Sequence, residues 1–278
     1  LQKFFASFFQ KRSAFAAAAA CLAAPALGRA DTTQLHYTAR LHGVPLLEAV
    51  YCVHREGSAY AASLAAKTLG LAEWIAHARS ISHVEGSLEG QMVRPRDYQE
   101  HGRLSGAPHQ VAIDYQDGAP VLTQMSPALE KSRLPVPAAQ TMGAVDGLSA
   151  LMLESLAATR TGACDGQALV YDGFQLRRAT THTEGQDDFK PSATSMFSGP
   201  ALRCATTSEM LAGYLKSEPI AKQARPRFSK TWLAPLRAGG ERLIVHATFD
   251  ADLLGDIIVD LDSVTHPDNP GCAPPPES

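Results

Sequence analysis

Aromatic side chains make up only 7% of this chain and charged ones 19%. So little charge, set beside 45% hydrophobic residues, excludes a disordered acidic or basic protein. No polybasic stretch occurs, and Lys plus Arg number 25 against 28 Asp plus Glu, so nucleic acid is not an expected partner. The signatures of common chemistries are missing as well. The nearest run to a GxSxG elbow, Gly147-Leu148-Ser149-Ala150-Leu151, lacks the second glycine and lies in a helical pattern. The ten histidines form no HExxH, and no GxGxxG or P-loop offers a cradle for a nucleotide. The expectation is a non-enzyme with no catalytic residue, no metal and no cofactor.

Long apolar runs are confined to the start of the chain. Leu1–Arg12 carries Lys3, Lys11 and Arg12 and no acid; Ser13–Leu22 is almost wholly apolar; Ala24-Pro25-Ala26 and Gly28-Arg29-Ala30 follow. A positive segment, a short apolar segment and small residues at the −3 and −1 positions predict a secretory signal peptide over residues 1–30. Cleavage fits after Ala26 or Ala30, and polar Asp31–Gln34 favours Ala30. The apolar run falls short of the roughly 20 residues that span a bilayer as a helix. An uncleaved anchor is one alternative. A lipidated Cys21 is another, although Ala18-Ala19-Ala20 before it lacks the leucine of a lipobox. Cleavage would remove Lys3, Lys11, Arg12 and Arg29 and no acid, taking the balance from 25 against 28 to 21 against 28. No later stretch predicts a transmembrane span; the best, Leu253–Val259, is interrupted by Gly255 and Asp256.

Of the five cysteines, Cys21 would leave with the signal, and Cys52, Cys164, Cys204 and Cys272 would remain. An even set in an exported chain predicts disulfides. Three connectivities are open; Cys164–Cys204 is the expected bridge, with Cys52–Cys272 second. Zinc is disfavoured, since no CxxC pair exists.

The periodicity is that of strands. Leu35, Tyr37, Ala39 and Leu41 alternate with His36, Thr38, Arg40 and His42. Leu47, Ala49, Tyr51 and Val53 make a second apolar face, and Tyr60, Ala62, Leu64 and Ala66 a third, with turns at Gly43-Val44-Pro45 and Glu56-Gly57-Ser58. Short strands punctuated by Gly86, Gly90 and Arg94-Pro95 are expected next, then a strand through Val111, Ile113 and Tyr115. The four prolines between Pro120 and Pro137 predict a long loop. Leu148, Leu151, Met152 and Leu156 then predict one helix, with Asp146 as N-cap and Gly162 past its end. Strands resume at Leu169–Leu176, turning at Asp172-Gly173, and at Ala201–Ala205, Leu243–Phe249 and Ile257–Leu261. The fold class expected is mainly β: a curved antiparallel sheet, spiral or partly closed barrel, with one packed α-helix at about 146–160. A single domain over 31–266 and a Pro-rich, disordered tail over 267–278 complete the organisation, unless Cys272 ties the tail down.

Two polar clusters invite a metal reading. His182, Glu184, Asp187 and Asp188 fall in a stretch, Thr180–Ser195, expected to be a mobile solvated loop. Asp250, Asp252 and Asp256 lack the central glycine and terminal glutamate of an EF-hand and fit a solvent-facing strand edge. Gly43, Gly57, Gly86 and Gly173 read as turn residues. Trp74, beside Leu71 and Ile75, reads as a core or rim aromatic or as the lining of an apolar pocket.

Seven motifs in order, from about Tyr37 to Val264, carry a resemblance: LHYTARLHGVPLLEAVYCV, TLGLAEW, SHVEGSLEGQMVRPRDYQEHG, VDGLSALML, ACDGQALVYDG, SGPALRC and the hairpin around Leu254-Gly255-Asp256. In these the chain resembles the exported proteobacterial family known as domain of unknown function 3108. The resemblance implies a periplasmic, β-rich spiral or half-barrel of the Gram-negative envelope, with the family's paired cysteines at Cys164 and Cys204. It brings no catalytic residues. Together these readings predict a non-enzymatic envelope protein that binds a lipid-like or amphipathic ligand, or an envelope partner, in the concavity of its sheet, where Ala39, Ala62, Ala66 and Ala247 leave room. A periplasmic hydrolase using the 180s segment, and a ligand-free scaffold, are the alternatives.

Overall fold

The structure, a computed structural model, describes residues 31–90, 92–104, 107–128, 132–251, 255–267 and 272. The signal-peptide and cleavage readings, and Asp252, lie outside these residues. The first half of the chain gives β1 (Asp31–Leu41), β2 (Val44–Glu56), β3 (Ala59–Thr68), α1 (Gly70–Ala76), β4 (Arg79–Glu89), β5 (Met92–Leu104), β6 (Ala107–Gln116) and β7 (Ala119–Ser126). After α2 (Gly147–Thr161) come β8 (Gly166–Tyr171), β9 (Leu176–Phe189), β10 (Gly199–Ala212), α3 (Ile220–Gln223), β11 (Arg227–Pro235), β12 (Arg242–Asp250) and β13 (Asp256–Thr265).

All thirteen strands form one antiparallel sheet in the order β7-β6-β5-β4-β3-β2-β1-β13-β12-β11-β10-β9-β8. Chain neighbours pair with one another, as short connections favour. The exception is the seam between β1 and β13, which runs from Gln34 opposite Thr265 to Leu41 opposite Ile257. Two meanders therefore meet at the seam, and the sheet curls until its outer strands, β7 and β8, approach each other. The backbone of Val145 bridges the gap, accepting from Tyr171 N and donating to Leu169 O, both at 2.9 Å. Gly143 N donates to Gly118 O in the β6–β7 turn. Gly173, at φ +93°, lets the β8–β9 turn press against Val111; a Cβ there would sit 2.7 Å from that side chain. The result is a nearly closed barrel.

Apolar residues alternate inward as the pleat requires. Leu35, Val84, Val111, Ile113, Leu176, Val245 and Leu261 are wholly buried. The expected helix is present: Asp146 accepts from Ser149 N at 2.9 Å, and Gly162 closes the last turn at φ +72°. The sulfurs of Cys164 and Cys204 lie 2.03 Å apart and those of Cys52 and Cys272 2.08 Å apart, which fits the expected pairs. Cys272 is buried and bonded to Cys52 of β2; the rest of the tail beyond residue 267, expected to be disordered, lies outside the described residues.

Several expectations need correction. The stretch around Gly86 and Arg94-Pro95 is two long strands. Gly86 is not a turn residue; it lies inside β4, where a Cβ would come within 2.2 Å of Arg94 O. The loop expected from Pro120 contains β7, an edge strand whose outward N–H groups have no ladder to serve, so proline is tolerated there. Thr180–Phe189 belongs to β9, paired with β10 along its length. β11 had no sequence signal, because its inward residues are Ser229 and Thr231.

Candidate functional site

α2 lies across one end of the barrel. Tyr60, at the start of β3, hydrogen-bonds Ser149 at 2.9 Å; Arg160 donates to Gly90 O in the β4–β5 turn; and Thr159 accepts from the backbone N of Arg242, where β12 begins. Successive turns of an antiparallel meander alternate between its two ends, so these anchors all belong to the same end. Asp146 holds the helix start: buried, it accepts from Ser149 N, Ser149 Oγ and Tyr115 OH, and burial pushes its carboxyl above the usual range. Leu148, Met152, Ser155 and Leu156 face the packed end. The opposite face, with Ala150, Leu151, Leu153, Glu154 and Ala157, looks into the barrel. A helix covered on both faces needs no polar side.

Between that second face and the sheet lies a cavity of about 590 Å³, within the roughly 300–1,000 Å³ of small-molecule sites. Small residues make the room: Ala39, Ala49, Ala66, Ala179 and Ala247 line it. Its two walls differ. Along β1–β3 it meets Tyr37, Leu47, Ala49, Leu64 and Ala66. Along β9–β11 it meets the hydroxyls of Thr181, Thr206, Ser229 and Thr231. Thr181 and Thr206 hydrogen-bond each other at 2.9 Å, while Thr231 donates to Glu154 Oε1 at 2.5 Å. Glu154 is the acid of the helix wall, and burial raises its carboxyl above the usual range, with the Thr231 hydroxyl pulling the other way. Phe249 lines the cavity yet is 45% exposed, so the cavity reaches solvent beside it.

No family model matches the chain, and no curated protein does. Among solved structures, it is similar to a beta-barrel-like protein of domain of unknown function DUF1849 from Brucella abortus. The two share 11% identity at a TM-score of 0.47, the match covering 86% of this chain and 99% of that one.

Of the four alanines expected to leave room, Ala39, Ala66 and Ala247 do; Ala62 is packed in the core with no exposed surface. Trp74 does not line the cavity; it stands on α1, 86% exposed. The 180s residues do not converge. His182 faces Asp165 at 3.7 Å, Glu184 pairs with Lys230 and Arg203, Asp187 with Arg203 and the Trp232 indole, and Asp188 with Lys190. Trp232 and Arg203 hold the Asp187 carboxyl below its usual range. Asp250 sits opposite Asp256 across the β12–β13 hairpin. Among the described residues no three His, Cys, Asp or Glu side chains are grouped to hold a metal ion, and no helix is long and apolar enough to cross a membrane. Sequence reasoning missed the hydroxyl wall and Glu154. A signal existed for the latter: Glu154 is the one charged residue in the mostly apolar stretch Leu148–Ala158 of the helix.

Proposed function

We propose that this chain is a non-enzymatic periplasmic protein of the Gram-negative envelope that holds a lipid-like or amphipathic molecule inside its curved sheet. The observation that carries the reading is the cavity itself: open at Phe249, apolar along β1–β3, apolar along α2 except for Glu154, and hydroxylated along β9–β11. Burying a ligand's apolar surface there gains roughly 25 cal/mol per Å² removed from water, while the hydroxyls serve its polar atoms. The paired cysteines support an oxidising compartment. Assignment to domain of unknown function 3108 belongs to the same proposal.

Native mass spectrometry of protein purified from its own periplasm should show bound mass in the lipid range. Purified protein should also take up N-phenyl-1-naphthylamine. Ala66→Trp with Ala247→Trp fills the cavity from two sides and should weaken uptake by about tenfold or more, with the melting temperature little changed. Absence of both co-purified lipid and probe uptake overturns the reading, as does uptake indifferent to the filled cavity.

A further inference from the structure

The hydroxyls of the second wall form a row across the strands. Thr181 of β9 stands opposite Thr206 of β10, and Thr206 stands opposite Ser229 of β11. Neighbouring strands lie about 4.8 Å apart, so the row covers roughly 10 Å of the wall. Thr181 and Thr206 bond to each other at 2.9 Å. Ser229 lies opposite Phe249, beside which the cavity reaches solvent, so the row runs up to the mouth. One same-face step inward along β11, roughly 7 Å, Thr231 donates to Glu154 on the helix wall.

The ionisable groups on the same surface are of one kind. Among the described residues that line the cavity, Glu154 and Asp165 are acids and none is lysine, arginine or histidine. Both carboxyls are already engaged by hydroxyls: Glu154 accepts from Thr231, and Asp165 accepts from Thr183 N and Oγ. An anionic head drawn out of water into this wall would meet two carboxyls and no cation, leaving its desolvation uncompensated. A cationic head would find neutral groups over most of the wall. An alcohol both donates and accepts, as threonine and serine do, so each hydrogen bond it gives up to water is replaced in kind. The facing wall offers Leu47, Ala49, Leu64 and Ala66 to an apolar chain.

We propose that the cavity takes a neutral amphiphile with a hydroxylated head, of the monoacylglycerol kind, whose hydroxyls meet Thr206, Ser229 and Glu154 while its chain lies against Leu47, Ala49 and Ala66. This rests on the binding function proposed above and names the ligand's class.

The test displaces bound N-phenyl-1-naphthylamine with monolaurin, methyl laurate, laurate and dodecylamine at neutral pH, each below its critical micelle concentration. These share a chain length and differ in the head. Monolaurin should bind wild type about tenfold or more tightly than methyl laurate, the scale of one or two neutral hydrogen bonds, and more tightly than laurate or dodecylamine. Thr206→Val with Ser229→Ala should remove most of that advantage and leave methyl laurate unchanged. Ser229→Ala alone, at a half-buried position by the mouth, should narrow the preference with the melting temperature little changed. Methyl laurate binding as tightly as monolaurin overturns the hydroxylated head while leaving the binding function standing, and so does a preference that survives the double substitution. Laurate or dodecylamine binding more tightly than monolaurin overturns the neutral head. If the probe is taken up and none of the four displaces it, this proposal falls alone; if the probe is not taken up and no lipid co-purifies, both proposals fall together.

Discussion

β1–β3 and β9–β11 are two walls of one cavity, built by the same pleat from opposite chemistry. On β1–β3 the alternation is the familiar one: Leu35, Tyr37, Ala39, Tyr51, Val53 and Ala62 are buried on the inner face. On β9–β11 the inner face carries hydroxyls, and aromatic packing lies on the other side. Trp232, next to inward Thr231, packs edge-on against His246 at 4.8 Å and Phe189 at 6.0 Å. Residues 190–198 cross nearby, with Met196 N donating to Leu261 O. Both walls contribute to the main apolar core, the second through Leu176, Ala201, Ala212, Trp232 and Ala234. The second wall adds a small cluster of Ala158, Cys164, Leu202, Cys204 and Leu233, with the 164–204 bridge at its centre. A sheet can keep one backbone pattern and still assign its two halves different work: greasy contact on one side, polar recognition on the other.

Removing the bridge is the strongest way to break that contrast. Cys164→Ser with Cys204→Ser reopens a loop with sequence separation 40, and chain entropy puts the cost near 4 kcal/mol. Urea unfolding measures the loss. Hydrogen exchange should show β8–β11 losing protection well before β1–β5. Uniform loss across both walls would mean that they are one cooperative unit and that the division is only chemical.

A smaller effect tests the helix that separates cavity from packed core. Asp146→Ala removes the acceptor for Ser149 N, Ser149 Oγ and Tyr115 OH in a buried site. The expected loss is about 2–3 kcal/mol, combining a lost N-cap with stranded donors. If the helix held only the first wall, ligand-probe uptake would survive this change. Because α2 forms the cavity's third side, uptake should fall with stability.

The same division explains what was legible in the amino-acid sequence. Wherever the inner residues are apolar, their spacing announced the strand: Leu35 to Leu41, Leu47 to Val53 and Tyr60 to Ala66 all lie in strands. The helix was legible because Asp146 and Gly162 mark its ends chemically. β11 and most of β9 were not. Their inward residues, Ser229, Thr231, Thr181 and Thr183, carry no apolar alternation, and the pattern that identifies a half-buried strand vanishes when the buried half faces a polar cavity wall. Glu154 was passed over for a related reason. Helical spacing marks the side of α2 that packs, at Leu148, Met152 and Leu156, and is silent about a second buried face. The cavity could be suspected from its alanines, but Ala62 on the same face is fully packed, so alanine spacing alone does not separate void from core.

The smallest expected effect reads the polar wall by pH. Burial raises the Glu154 carboxyl, so the folded protein holds that proton more tightly than the unfolded chain does. Stability from this group is complete below the unfolded carboxylate range and falls as pH rises toward and past the folded value. Asp146 and Asp172, also raised by burial, act in the same direction. Asp165, Glu184 and Asp187 are lowered by their partners and act in the opposite direction, losing their contribution on acidification. Glu154→Gln keeps an acceptor for Thr231 and removes one titrating group. The melting temperature of this variant should decline less than wild type between the carboxylate range and neutrality, the two curves meeting at acid pH. Parallel curves would show that Glu154 ionises without cost, which would require water or a counter-charge beside it and make the β9–β11 wall wetter than its hydroxyls imply.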